Sequence, residues 1–373
     1  MNQRRNRRAG VEDLWTKRDG TKSARHGIGK RWRARYVDNL GEEHTKAFTR
    51  KIDAQAWLDS QTTALGTNTH IDPRVRVTVD QLADRFEAGL GHLSAKSLYE
   101  LKSVIKSRVR PKWGRVYARD ILPSDVNAWV AGMVNEGLSG SLVRKCVGTL
   151  RRILDVGVSD RVLATNAAAN VQLPKDTKKH KAVFLSPVQL HALSAACGDY
   201  GVLVELLGIC GLRWGEATAL QVGDLDTKRQ RLHVTKAWKD VAGKLELGET
   251  KTGRDRAVPL PPSLASQLES LTRGRSVDEL IFSAPKGGPL RIRNFTRQVF
   301  KPGVFAVHSI PNEMWIYDLR HTAASLAIQS GANIKAVQAL LGHSTATMTL
   351  DRYGHLFPDD LDALAAALEN TAY

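Results

Sequence analysis

The sequence predicts a multidomain, mainly α protein with small β-sheets: a small sheet-plus-helix domain (1–66), a helical bundle (77–172) and a mixed α/β domain (183–373). Three observations carry this. A chain of 373 residues is long enough for two or three domains. The apolar pattern changes period, from alternation near residue 32 to helical spacing after residue 77 and a mixture after residue 185. Two stretches without apolar periodicity, "HIDPRVR" (70–76) and "LPKDTKKHKAVF" (173–184), read as linkers between the three regions.

In "KRWRARYV" (30–37) Trp32, Ala34 and Tyr36 alternate with Arg31, Arg33 and Arg35, the pattern of a strand with one packed face and one guanidinium face. "DNLG" supplies a turn, "HTKAFT" (44–49) a second strand and "DAQAWLDSQ" (53–61) an amphipathic helix, with an earlier strand near Val11–Thr16. Residues 1–60 hold 15 Lys/Arg against 8 Asp/Glu. A row of arginines is usually a solvated face, but together with Arg4, Arg5, Arg7 and Arg8 in the tail it points to DNA binding.

The bundle follows from helical spacing and helix-start residues. "VDQLADRFEAGL" sets Leu82 and Phe86 four apart, Ser94 caps the next helix, and "PSDVNAWVAGMV" opens with Pro. "SGSLVRKCVGTLRRILDVGV" places Leu142, Cys146, Leu150, Ile153 and Leu154 on one face. In the linker beyond, Lys178 and Lys179 are suited to a phosphate backbone.

In the last region "SPVQLHALSAAC" and "GVLVELLGICG" read as helices, "RLHVTKAWK" (231–239) and "RDRAVPL" (254–260) as strands, and helices return from Trp315. Arg213 falls at the start of a helix carrying Ala217 and Leu220, and Lys251 precedes a Thr-Gly turn joining two strands. Arg320 lies on an amphipathic helix ending at Gly331, and His343 on the turn after Gly342. Tyr353 is on the helix after that turn, with Ser344 or Thr345 as its cap. The acidic end "PDDLDALAAALENTAY" has helical apolar spacing suited to docking on its own domain or a neighbouring protomer.

The net charge of +17 favours an acidic partner, nucleic acid ahead of an anionic membrane. Three scattered cysteines make neither a metal cluster nor a disulfide framework, as in a reducing cytoplasm. With no bilayer-length apolar run and no signal-peptide segment, the expectation is a soluble intracellular protein.

Two arginines, a lysine, a histidine and a tyrosine are what metal-free phosphoryl transfer from DNA requires. A phosphodiester under attack gathers charge on its non-bridging oxygens, which forked guanidiniums bind bidentately. A lysine ammonium can protonate the leaving 5′-oxygen. A phenol oxygen can attack phosphorus and keep the bond energy in a phosphotyrosine.

These segments resemble the tyrosine recombinases, or phage integrase family, over about residues 185–357. "GLRWGEATALQVGDLD" matches the first arginine box. "TKTGRDRAVPL" resembles the hairpin that holds the catalytic lysine. "YDLRHTAASLAIQSGANIKAVQALLGHSTATMTLDRYGHL" matches the second arginine box, the Leu-Gly-His turn and the nucleophile helix. The resemblance implies Arg213 and Arg320 as the phosphate clamp, Lys251 as general acid, His343 as a phosphate hydrogen-bonding group and Tyr353 as nucleophile. One position departs. Tyr317 stands where the family usually has histidine, and a phenol of ordinary pKa near 10 is a poor base at neutral pH. Tyr317 is kept as an active-site member, whereas His321 reads as structural and Glu216 as a residue orienting Arg213.

The layout is similar to that of temperate-phage integrases, with an arm-type DNA-binding domain, a helical core-type DNA-binding domain and a catalytic domain. The resemblance implies integration and excision of double-stranded DNA through a 3′-phosphotyrosine, without metal or cofactor. It further implies a homotetramer on core-type and arm-type attachment sites, with host or phage bending and directionality factors, in a bacterial host's cytoplasm. The rival readings are a non-enzymatic helix-turn-helix regulator, built on "SGANIKAVQALLGHSTATMTLDRYG", and a related transposon recombinase or type IB topoisomerase.

Overall fold

The computed structural model describes residues 9–38, 41–67, 70–72, 76–175, 180–250, 253 and 255–357. The chain divides into two compact units, residues 1–178 and 179–373. The tail arginines Arg4, Arg5, Arg7 and Arg8, the linker residues Lys178 and Lys179, Lys251, and the acidic end from residue 358 lie outside the described residues.

The first unit opens with strands β1 (Gly10–Asp13), β2 (Trp32–Val37) and β3 (Glu43–Phe48), an antiparallel sheet in that order. Helix α1 (Lys51–Gly66) covers one face, longer than its apolar spacing suggested. Ala34 and Tyr36 from β2 meet Ala54 and Leu58 from α1, the packed side that alternation predicts. Buried His44, on β3, bridges Asp38 (2.8 Å), just past β2, and Asp72 (3.6 Å).

The bundle follows in helices α2 (Val79–Ala88), α3 (Ala95–Val104), α4 (Pro123–Asn135) and α5 (Gly140–Ser159). Thr78, Ser94 and Ser139 accept the third-residue N–H of their helices, supplying partners for otherwise orphaned donors. α3 runs on through a π-turn (Ile105–Val109) into Arg110–Trp113. Cys146, Leu150, Ile153 and Leu154 are buried together, with Leu142 at the margin, so the predicted face of α5 is the core face.

The second unit is built around α6 (Pro187–Ala196) and α7 (Gly201–Cys210), whose leucines anchor its core. A one-turn helix α8 (Trp214–Ala217) follows. It is shorter than the predicted helix through Leu220, because the Thr218 carbonyl accepts the Trp238 indole N–H (3.0 Å) instead of continuing a helical ladder. Strands β4 (Leu225–Asp226), β5 (Arg231–Val234) and β8 (Arg256–Pro259) form one antiparallel sheet, and β6 (Lys236–Val241) with β7 (Lys244–Glu249) another.

"RLHVTKAWK", predicted as one strand, is therefore two strands in different sheets. β7 and β8, the strands before and after Lys251, likewise belong to different sheets. The hairpin turn is Ala242–Gly243, both at positive φ. α9 (Pro262–Thr272) packs against α7, and α10 (Asp318–Gln329), α11 (Ile334–Leu341) and α12 (Ala346–Tyr353) are the last α-helices of the described chain. Asp318 through Ser325 are all buried, so α10 is a central helix and not the amphipathic one predicted. Thr345 caps α12, accepting the Met348 N–H. Among the described residues no helix is long and apolar enough to cross a membrane.

Candidate active site

Two helix ends make the seat for Arg320. α7 stops at Gly211 and α11 at Gly342, both left-handed (φ 62° and 63°), the conformation glycine adopts without strain. A Cβ on Gly211 would sit 2.6 Å from a Leu341 methyl carbon, so the close approach of the two ends also requires glycine. Helix ends leave carbonyls unpaired and carry partial negative charge. The Arg320 guanidinium, reaching in from α10, donates from Nη1 to the Gly211 carbonyl and from Nη2 to the Leu341 carbonyl (2.6 Å). Arg320 is 2% exposed, and its Nε–H is buried without a partner among the described residues.

Arg213, at the N-cap of α8, brings a second guanidinium to the same turn. Its Nη1 donates to Glu216 (2.9 Å), and its Nη2 stands 3.5 Å from the Gly342 carbonyl. The two arginines thus flank the consecutive carbonyls of Leu341 and Gly342, with His343 next in the chain. Glu216 is almost wholly buried and also accepts the Arg213 backbone N–H (3.0 Å) and Arg256 Nη2 (2.6 Å). Burial works to raise its carboxyl pKa, but the hydrogen bond and charge of Arg256, then the N–H and charge of Arg213, hold it below the usual carboxylate range. Two guanidiniums bind this one carboxylate and Arg320 adds a third positive charge nearby, which leaves an excess of positive charge where an anion would fit. Partly buried Arg256 adds buried Nε–H and Nη1–H groups without partners among the described residues.

His343 pairs its Nδ1 with Thr349 Oγ1 (2.9 Å). Burial, followed by the charges of Arg320 and Arg213, pushes its pKa down to about 4, so the imidazole is neutral near pH 7. With Nδ1 taken, Nε2 is the nitrogen left to meet a phosphate oxygen. Tyr353 packs with Ala324, Ile328, Val337 and Leu341 and is 1% exposed. Its Oη lies 2.7 Å from His321 Nδ1, and burial pushes the phenol up to about 12 despite Arg320 and Arg352 nearby. Tyr317 is half-exposed and sits edge-on to the His321 ring at 5.2 Å.

Of the predicted residues, Arg213, Arg320 and His343 come together around one turn, Tyr353 lies on the helix after it, and Tyr317 borders the site through His321. Sequence reasoning missed Arg256 and Arg352, and it assigned His321 to the framework although that ring touches the candidate nucleophile. A signal was available in each case: Arg256 is in the quoted "RDRAVPL", His321 adjoins Arg320, and Arg352 adjoins Tyr353.

On the first unit, Arg31, Arg33 and Arg35 project from β2 away from α1. Arg31 is bound to Asp13 (2.7 Å) and Arg33 to Glu12 (2.9 Å), while Arg35 stands 3.9 Å from Glu12. The row is therefore partly neutralised by β1, which the sequence reading did not foresee. Among the described residues Asp38, His44 and Asp72 are close enough to share a metal ion. Asp38 is already occupied, accepting from the Glu42 N–H (2.9 Å) and pairing with His44 Nε2 (2.8 Å).

Residues 183–359 match the model of the phage integrase family. The chain is 27% identical to the integrase of Mycobacterium phage D29 over 92% of each chain. In fold it resembles the Tn1549 transposon integrase solved with transposon right end DNA, with a TM-score of 0.67 and 20% identity over 80% of this chain and 100% of that one. A lambda integrase tetramer solved on a Holliday junction gives a TM-score of 0.59 and 19% identity over 87% and 92%.

Proposed function

We propose that this chain, whose residues 183–359 match the phage integrase family, is a tyrosine recombinase whose own residues cut and rejoin DNA at specific sites. Arg213 and Arg320 bind the non-bridging oxygens of the scissile phosphate, and neutral His343 adds a hydrogen bond from Nε2. Tyr353 Oη attacks phosphorus, giving a 3′-phosphotyrosine and a free 5′-hydroxyl. Lys251 donates the proton to that leaving oxygen. The observation that carries this reading is the pair of guanidiniums on consecutive carbonyls at Leu341 and Gly342, one residue before His343 and eleven before Tyr353. Fixed, desolvated cations of this kind stabilise transition-state charge without reorganising at the moment of reaction.

We assign residues 77–172 to core-site binding, residues 1–66 to arm-site binding, and the whole chain to integration and excision as a tetramer on DNA in the host cytoplasm. Bending and directionality factors complete the assembly. The resemblance to a phage integrase along nearly the full chain supports the three-part layout, and the excess charge supports nucleic acid as partner. In a helix-turn-helix regulator the Arg213–Glu216–Arg256 cluster and the Arg320 Nε–H, without a partner among the described residues, would have no task.

The test uses nicked duplexes selected for binding by the full chain from a randomised pool. The wild type is expected to be trapped covalently on the DNA, and Tyr353→Phe to bind without trapping. Trapping by both, or by neither, contradicts the assignment.

A further inference from the structure

With Tyr317 at the usual histidine position, the group that takes the phenolic proton has to come from elsewhere, and the structure places an imidazole against Tyr353. His321 Nδ1 lies 2.7 Å from Tyr353 Oη, and Arg352 Nη2 lies 3.0 Å from His321 Nε2. A guanidinium only donates, so Nε2 accepts, and a neutral ring held this way carries its proton on Nδ1. In that tautomer Nδ1–H donates to the phenol oxygen and the ring has no lone pair to offer. If Arg352 withdraws, the proton can reside on Nε2 and the Nδ1 lone pair faces the phenol O–H. Arg352 is exposed on α12, one residue from Tyr353, with its guanidinium 5.8 Å from the Tyr317 ring.

We infer that His321 is the general base for Tyr353, and that Arg352 holds it in the idle tautomer until a DNA phosphate draws the guanidinium away. The inference rests on Tyr353 being the nucleophile. The phenol proton passes to His321 Nδ1, giving an imidazolium, as the Oη–P bond forms. The P–O5′ bond breaks with its electron pair on O5′, which takes a proton from the general acid. In the joining step the 5′-hydroxyl gives its proton back to the deprotonated general acid and attacks phosphorus, the Oη–P bond breaks, and the imidazolium returns its proton to Tyr353 Oη.

The charged and titratable groups facing His321 are Tyr317, Asp318 and Arg320 on its own helix, Arg352 and Tyr353 on α12, and His180 on the segment before α6. Burial pushes the ring down to about 4, and Arg352 is the next cause. Loss of Arg352 therefore moves the ring upward, towards a useful base.

The experiment measures the rate of covalent trapping on the nicked duplexes, against pH, for wild type, His321→Ala, His321→Asn and Arg352→Ala. His321→Asn keeps a donor against Tyr353 and so guards against simple misfolding; its thermal midpoint should match wild type. Both His321 variants should bind DNA normally and trap about 10²–10³-fold more slowly, within the range of general-base catalysis. The fall in rate at acid pH expected of wild type should be missing from both, and added imidazole should restore part of the rate to His321→Ala. In the DNA-free protein Arg352→Ala should move the His321 titration, followed by NMR, to higher pH than in wild type. Wild-type rates in the His321 variants, or slower rates with an unchanged pH profile and no imidazole rescue, overturn the base. An unmoved His321 titration in DNA-free Arg352→Ala overturns the tautomer lock. Failure of wild type to trap at all would refute the nucleophile assignment beneath it.

Discussion

Arg33 lies on an open sheet face with its charge met by Glu12, whereas Arg320 is buried against two helix ends with one N–H left without a partner among the described residues. Both were read from the sequence as cations for DNA phosphate, yet they stand in opposite electrostatic settings. Water screens Arg33, and its ion pair contributes at most about 1 kcal/mol. Arg320 has been stripped of water in advance, so an arriving phosphate meets a fixed, undersolvated donor. On the proposed reading, the difference separates a surface that would gather DNA from a site that would act on it.

The largest effect that would break this contrast is at Arg320. Arg320→Lys keeps the charge but cannot hold the Gly211 and Leu341 carbonyls and a phosphate at once. Covalent trapping is expected to fall by about 10²–10³-fold, measured on the nicked duplexes with binding retained. A loss under tenfold would mean that charge alone suffices.

This contrast also marks where the sequence was legible. The bundle helices, the β2 alternation and the caps at Ser94 and Thr345 were readable because each depends on neighbours a few residues away. Arg213, Arg320, His343 and Tyr353 were readable as motifs. Arg256 was not, because its meaning lies in Glu216, 40 residues earlier. His321 was taken for framework because its contact is 32 residues on. The acids of β1 hid the neutralised state of the arginine row for the same reason: the strand register, and not the local spacing, brings Glu12 opposite Arg33.

A second test uses pH. His321 and His343 are both pushed down to about 4 in the fold, whereas an unfolded histidine titrates near 6.5. Between those values the unfolded chain binds more protons than the native one, so stability contributed by these two rings is lost as pH falls through that window. Hydrogen exchange of α10 and α12 in the full chain, corrected for intrinsic rates, should show protection declining from pH 6.5 towards 4. Protection independent of pH there would mean that the two rings are not held neutral.

Smaller again is Gly342→Ala. A positive φ of 63° and a Cβ 3.1 Å from the Arg256 guanidinium both oppose it, predicting a loss of about 1–2 kcal/mol by denaturant unfolding. Unchanged stability would show that the turn can shift away from Arg256.

Arg33→Ala should be the mildest. Unfolding stability is expected to change by less than about 1 kcal/mol, while the salt dependence of DNA affinity loses about one unit of slope if the row meets phosphate. An unaltered slope would remove the sheet face from the DNA interface.

The central claim is that the buried arginine pair serves a phosphate attacked by Tyr353. It is tested most directly by digesting the trapped protein–DNA complex and locating the nucleotide by mass spectrometry. A phosphonucleotide on Tyr353 is the expected result. An adduct on any other residue, Tyr317 included, would contradict the account.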